Sequence, residues 1–210
     1  MLFRSLLCGN AVVWKPAEYS AAAAAAFHEL FVRGGGLPPG VFNVVYADGQ
    51  QTYAGLEQAL DAGLVDKVGF TGSTEVGARI GELTGRHLQS PCLELGGKNP
   101  MVVAPSADVD LAVQAALFSG FGTAGQRCTS LGTVIVHEDV REEFTAKLDQ
   151  VTRQAAVGDP FRDVVYGPML SERFGRRFEE YLTWIQPHHR LLGSTGTGRK
   201  IGRASCRERV

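Results

Sequence analysis

Short apolar runs alternate with helix-length stretches, and this alternation constrains the fold more than any other feature of the sequence. Ala11 to Trp14 (AVVW) is an apolar run stopped by Lys15-Pro16, because proline has no N–H to offer a ladder. Ser20 stands where it can cap a helix running through the alanines to about Arg33, where Gly34-Gly35-Gly36 end it. The unit recurs: Val41 to Tyr46 reads as a strand and Thr52 to Ala62 as a helix, then Lys67 to Phe70 as a strand leading through Thr71-Gly72-Ser73 into a helix from about Thr74 to Thr84. Strands alternating with helices predict an α/β fold, with a parallel sheet covered by helices on both faces.

The rhythm changes after Pro91. Cys92 to Leu95 and Pro100 to Ala104 are β runs around Gly96-Gly97, Asp108 to Phe121 is a helix, and Thr133 to His137 is a further strand. Helices are expected from about Val140 to Ala156 and from Arg173 to Ile185. A domain boundary is placed near Gly96, dividing residues 6–95 from 96–199. The first part opens in mid-sheet and the second breaks off in a Gly/Ser/Thr loop, so neither looks complete. Residues 1–5 and 200–210 resemble translated sequencing adapters and are read as non-native ends of a gene fragment.

Composition excludes several classes. A net charge of -1 leaves no electrostatic footprint for nucleic acid or an anionic membrane. No apolar run approaches the roughly 20 residues of a spanning helix, and the start is too short for a signal peptide, which makes a cytoplasmic protein the default. The 4 cysteines (Cys8, Cys92, Cys128, Cys206) lack C-x-x-C or metal-type spacing and are read as reduced thiols. The histidines show no H-E-x-x-H pattern, so no metal is expected. Gly193 to Lys200 is Gly-rich, but Lys does not follow the second glycine directly and no strand precedes it, which argues against a phosphate loop.

Two segments could carry chemistry. Gly72 and Ser73 sit where a strand feeds a helix N-terminus, whose free N–H groups and positive dipole end can hold a pyrophosphate. A purely structural turn fits as well. Glu94-Leu95-Gly96-Gly97 is followed by Gly125-Gln126-Arg127-Cys128, with Cys128 34 positions after Glu94. A cysteine among glycines could be a nucleophile and a glutamate beside glycines a general base, whereas an isolated cysteine is more often a small buried hydrophobe. Spacing alone leaves this open.

The ordered series VWKPAE (Val13 to Glu18), LPPGVFNVV (Leu37 to Val45), FTGSTEVG (Phe70 to Gly77), ELGGKNP (Glu94 to Pro100) and GQRC (Gly125 to Cys128) resembles the aldehyde dehydrogenase superfamily. The resemblance implies part of a doubly wound parallel-sheet nucleotide-binding domain followed by part of an α/β catalytic domain. It implies Cys128 as the nucleophile that forms a thiohemiacetal and then a thioester, and Glu94 as the general base for thioester hydrolysis. A free thiol ionises at about 8.5, so such chemistry needs surroundings that favour thiolate.

For the cofactor, the resemblance implies NAD rather than NADP. Lys15 and Glu18 would hold the adenosine ribose, Gly72 and Ser73 the pyrophosphate, and Gly97 would let the chain pass close to the nicotinamide. It also implies a homodimer or homotetramer acting on a small aldehyde. The family's oxyanion Asn and its E-x-F-G-P segment are absent from the sequence, so the chain alone is expected to be inactive. The alternatives are a family member kept as a nucleotide-binding or structural protein, and a thioester-forming hydrolase, which would need neither Lys15 nor Glu18.

Overall fold

The computed structural model describes residues 2–189. The readings of Gly193 to Lys200, Cys206 and the C-terminal end lie outside these residues. The chain divides into two compact units, the first ending at Gly96 and the second beginning at Gly97.

In the first unit, helix α1 (Leu2–Leu7) precedes strand β1 (Val12–Trp14). Helix α2 (Ala21–Glu29) follows a 3-10 turn and continues into a π-helical turn at Leu30–Gly34. Ser20 precedes α2 but does not cap it with its side chain. Its hydroxyl donates back to the Ala17 carbonyl at 3.1 Å, because the 3-10 turn brings that oxygen within reach. Strand β2 is shorter than the apolar run around it, covering Phe42–Val44, and pairs in parallel with β1. Trp14, Phe27, Phe31 and Phe42 gather around this pair, with Trp14 stacked on Phe42 at 6.1 Å.

Helix α3 (Gly49–Asp61) begins ahead of the expected Thr52 because Asp48 and Gln51 form a reciprocal cap. The Gln51 N–H donates to the Asp48 carboxylate at 2.7 Å, and the Asp48 N–H donates to Gln51 Oε1 at 3.3 Å. Strand β3 (Gly69–Thr71), helix α4 (Thr74–Arg86) and strand β4 (Cys92–Glu94) follow, with β3 and β4 parallel and in register from Gly69 opposite Cys92 to Thr71 opposite Glu94. Leu60, Val68, Ile80 and Leu83 form the core beneath them, Leu83 being fully buried.

The second unit contains strand β5 (Asn99–Val103), helix α5 (Val109–Phe121), strand β6 (Leu131–Val136) and helix α6 (Glu138–Gln154). A parallel pair, β5 and β6, packs under α5 and α6 through Val103, Val109, Val113, Ala116, Phe144 and Leu148. Beyond α6 the chain doubles back: Val165 N–H donates to the Ala156 carbonyl at 2.9 Å and Gly158 N–H to that of Tyr166 at 3.2 Å, with Phe161 98% exposed at the tip between them. Helix α7 (Glu172–Leu182) follows.

Among the described residues the strand pairs are parallel, as the alternation predicts, but they form three two-stranded ribbons rather than one continuous ladder. At β5 and β6 the helices α5 and α6 pack on one face. Side chains alternate along a strand, so with both helices on one side Val102 and Ile135 point to the other and remain 70% and 55% exposed. Among the described residues no helix is long and apolar enough to cross a membrane, and no cluster of His, Cys, Asp or Glu could hold a metal ion.

Candidate active site

Each unit carries an exposed turn at the end of regular structure. In the first, β3 runs through Gly72 into α4. Ser73 is the N-cap, its hydroxyl accepting from the Val76 N–H at 3.3 Å, and both Gly72 and Ser73 are exposed. A side chain at Gly72 would meet the Phe70 ring at 2.5 Å, so glycine keeps the backbone clear before the helix start. Gly77, in the next turn, lets α4 lie against Leu95, whose Cδ2 an added Cβ would overlap. Helix start and strand end are joined here, since the Gly72 N–H donates to the Glu94 carbonyl at 3.0 Å. Glu94 ends β4 with an exposed side chain.

Lys15 directly follows β1 and is half-buried, while Glu18 opens the 3-10 turn and is exposed. A cation and a carboxylate at one strand end can each bind hydroxyl groups, and a capped helix N-terminus after another strand can hold a negatively charged group.

The second turn is built differently. After α5, Thr123 and Ala124 both have φ of 54° and Gly125 has φ of 69°. Left-handed backbone in two residues that carry a Cβ is costly, and it reverses the chain sharply. At Gly125 a Cβ would also sit 3.0 Å from the Gly120 carbonyl oxygen, so only glycine fits. Gln126 ties the turn to a distant segment, its Oε1 accepting from the Leu170 N–H at 2.9 Å. Arg127 reaches back to α5, lying over the Phe118 ring at 5.4 Å and donating to the Phe118 carbonyl at 3.3 Å. Cys128 comes next, exposed and with a free thiol.

Asn99, at the start of β5, holds the far side of this turn. Its Nδ2 donates to the Cys128 and Ser130 carbonyls, each at 2.8 Å. Neither Asn99 nor Gln126 was among the residues expected to matter. A strand beginning with Asn-Pro was the available signal, because Pro100 cannot donate to the ladder and another donor must hold the adjoining strand.

Gly72, directly after β3, is therefore bonded to Glu94 at the end of β4, Lys15 and Glu18 follow a different strand pair, and Gly97 and Cys128 belong to the second unit. Residues 1–196 match the model of the family described as the aldehyde dehydrogenase family. The chain belongs to the aldehyde dehydrogenase family. Salicylaldehyde dehydrogenase of Pseudomonas putida is 39% identical over 174 residues, which are 82% of this chain and 36% of that protein. Among solved structures, an NADP-dependent enzyme of E. coli matches with a TM-score of 0.84 at 32% identity, over 93% of this chain and 41% of that one. A 1-pyrroline-5-carboxylate dehydrogenase from Thermus with bound NAD matches with a TM-score of 0.83 at 29% identity, over 93% and 39%. The chain thus spans little more than a third of its aldehyde dehydrogenase relatives.

Proposed function

We propose that a protein carrying this chain oxidises an aldehyde to a carboxylic acid with NAD, and that Cys128 is its nucleophile. The observation that carries this reading is the exposed Cys128 thiol on a turn whose backbone is fixed from three sides, in a chain of the aldehyde dehydrogenase family. Residues 6–95 supply part of the nucleotide-binding domain and 96–199 part of the catalytic domain.

In this reading bound NAD supplies the acceptor for the hydride that leaves the substrate. The chain's own residues do the rest. The Cys128 thiolate forms a C–S bond to the aldehyde carbon, and the Cys128 N–H faces the oxyanion that results. Once the carbon has been oxidised to a thioester, the Glu94 carboxylate takes a proton from water, the water oxygen bonds to the acyl carbon, and the C–S bond breaks to return the thiolate. Lys15 and Glu18 bind ribose hydroxyls, Gly72 and Ser73 the diphosphate, and Gly97 leaves room for the nicotinamide end. Glu18 favours NAD over NADP, because a 2′-phosphate would meet a like charge. The 210-residue chain by itself is proposed to be inactive.

The test is made in the full-length protein. Cys128→Ala should abolish aldehyde oxidation while leaving NAD binding intact. Glu94→Gln should give a burst of reduced cofactor and then stall. Normal turnover in Cys128→Ala overturns the nucleophile assignment, and normal turnover in Glu94→Gln overturns the base. The ratio of kcat/KM for NAD and NADP tests the cofactor preference, and equal values contradict it.

A further inference from the structure

We infer that Asn99 is a positioning residue for the nucleophile: its amide clamps the turn that presents Cys128, doing with a side chain what the strand ladder cannot do there. The proposal rests on the reading of Cys128 as the nucleophile.

Strands β5 and β6 pair in register from Pro100 opposite Thr133 to Val103 opposite Val136, but Asn99 stands opposite Leu131, so the register slips by one residue at Gly132. The slip has a cause in the sequence. Pro100 has no N–H, and Gly132 packs so closely against Lys98 and Asn99 that an added Cβ would lie 3.1 Å from the Lys98 Cα. Regular pairing therefore stops just before the segment from Cys128 to Ser130. Within that segment the backbone closes on itself, Ser130 N–H donating to the Arg127 carbonyl at 3.1 Å and Arg127 N–H to the Ser130 hydroxyl at 3.3 Å. These bonds shape the turn but fasten it to nothing.

Asn99 fastens the far side of the turn, as Gln126 and Arg127 fasten the near side. Its amide nitrogen carries two hydrogens and meets two carbonyl oxygens, of Cys128 and Ser130, at 2.8 Å. Both partners are acceptors, which fixes the orientation of the amide, because its oxygen would be repelled in the same place. Holding the Cys128 carbonyl fixes the plane of the peptide that follows the nucleophile, and holding that of Ser130 fixes the entry to β6. The side chain thus links the direction of the thiol to the packed β5 strand, whose far end is the buried Val103.

The test is peptide-resolved alkylation by iodoacetamide on the intact 210-residue chain. Trypsin cuts after Arg127 and after Arg141, so Cys128 is read in one peptide and Cys92 in another as an internal reference. Rates are measured from pH 6 to 9.5 beside the isolated Cys128 peptide. In the wild-type chain the Cys128 profile should differ from that of the free peptide by at least about fivefold, the order expected for losing two hydrogen bonds. Asn99→Ala should move it toward the free-peptide profile by at least about fivefold while Cys92 is unchanged. Asn99→Ser keeps a single donor, should fall between, and stands in if Asn99→Ala does not fold. A Cys128 profile in a folded Asn99 variant that superimposes on the wild type overturns the proposal, as does a wild-type profile equal to that of the free peptide. Retained aldehyde oxidation in Cys128→Ala would instead overturn the nucleophile reading and leave this comparison standing.

Discussion

The turn at Ser73 and the turn at Cys128 are both exposed, yet they are made in opposite ways. The first follows local rules: a strand ends, glycine clears the path, and a serine caps the helix three residues before the N–H that it binds. The second is held by residues far away in sequence. Asn99 reaches it across 29 and 31 residues, Gln126 binds Leu170 across 44, and three successive left-handed residues lead into it. A strand-to-helix turn can be written locally, whereas a turn with successive left-handed residues is fixed against several elements and stores strain.

The largest effect should come from removing the support of the local turn. Leu83 is fully buried on α4, so Leu83→Ala should cost roughly 2–5 kcal/mol by urea denaturation. A loss under about 1 kcal/mol would show that α4 does not depend on this core. Next is the strained turn. Gly125→Ala places a Cβ both in left-handed backbone and against the Gly120 carbonyl, and should cost roughly 1–3 kcal/mol. An unchanged midpoint would mean that the turn relaxes freely and stores no strain. The cap is expected to be smaller: Ser73→Ala should lose about 1 kcal/mol, read in the same experiment.

Ala124→Gly sharpens the comparison, since the usual penalty of glycine should vanish. Relief of the left-handed strain at φ 54° should leave stability unchanged or raise it by up to about 1 kcal/mol. A clear loss would show that this residue is not strained. The smallest effect is a pH dependence near the same turn. Tyr166 packs 6.2 Å from the Phe121 ring, and burial raises its phenol above the ordinary value. The phenol of the unfolded chain ionises first, so its contribution is whole below about pH 10 and falls away as pH rises toward the folded value. Tyr166→Phe should flatten that alkaline decline in thermal scans, and an identical slope would contradict it.

The same contrast explains what could be read in the sequence. The β-α alternation gave the order of strands and helices because apolar period and glycine breaks are local signals. Boundaries moved where side chains competed with the backbone, as when the Asp48–Gln51 box drew α3 forward and the Ser20 hydroxyl turned back to Ala17. Cys128, Glu94 and Ser73 stood out through the series of short segments around them. Asn99 did not, because its contribution exists only once β5 and β6 are side by side. The bare side of that ribbon was also illegible, since the apolar alternation of Val102 and Ile135 marks a face without saying what lies on it.

The doubled-back segment beyond α6 carries a consequence for how the chain behaves under limited proteolysis. Phe161 stands almost wholly exposed at its tip, where chymotrypsin can reach it. The stem below is closed by the Val165–Ala156 and Gly158–Tyr166 bonds, and the Gln126–Leu170 bond joins the far side to the body of the second unit. A cut at Phe161 therefore severs the polypeptide without severing the structure. The nicked protein should elute as one species in native size-exclusion chromatography and separate into two pieces only when denatured, with the Cys128 turn still assembled from residues on both sides of the break.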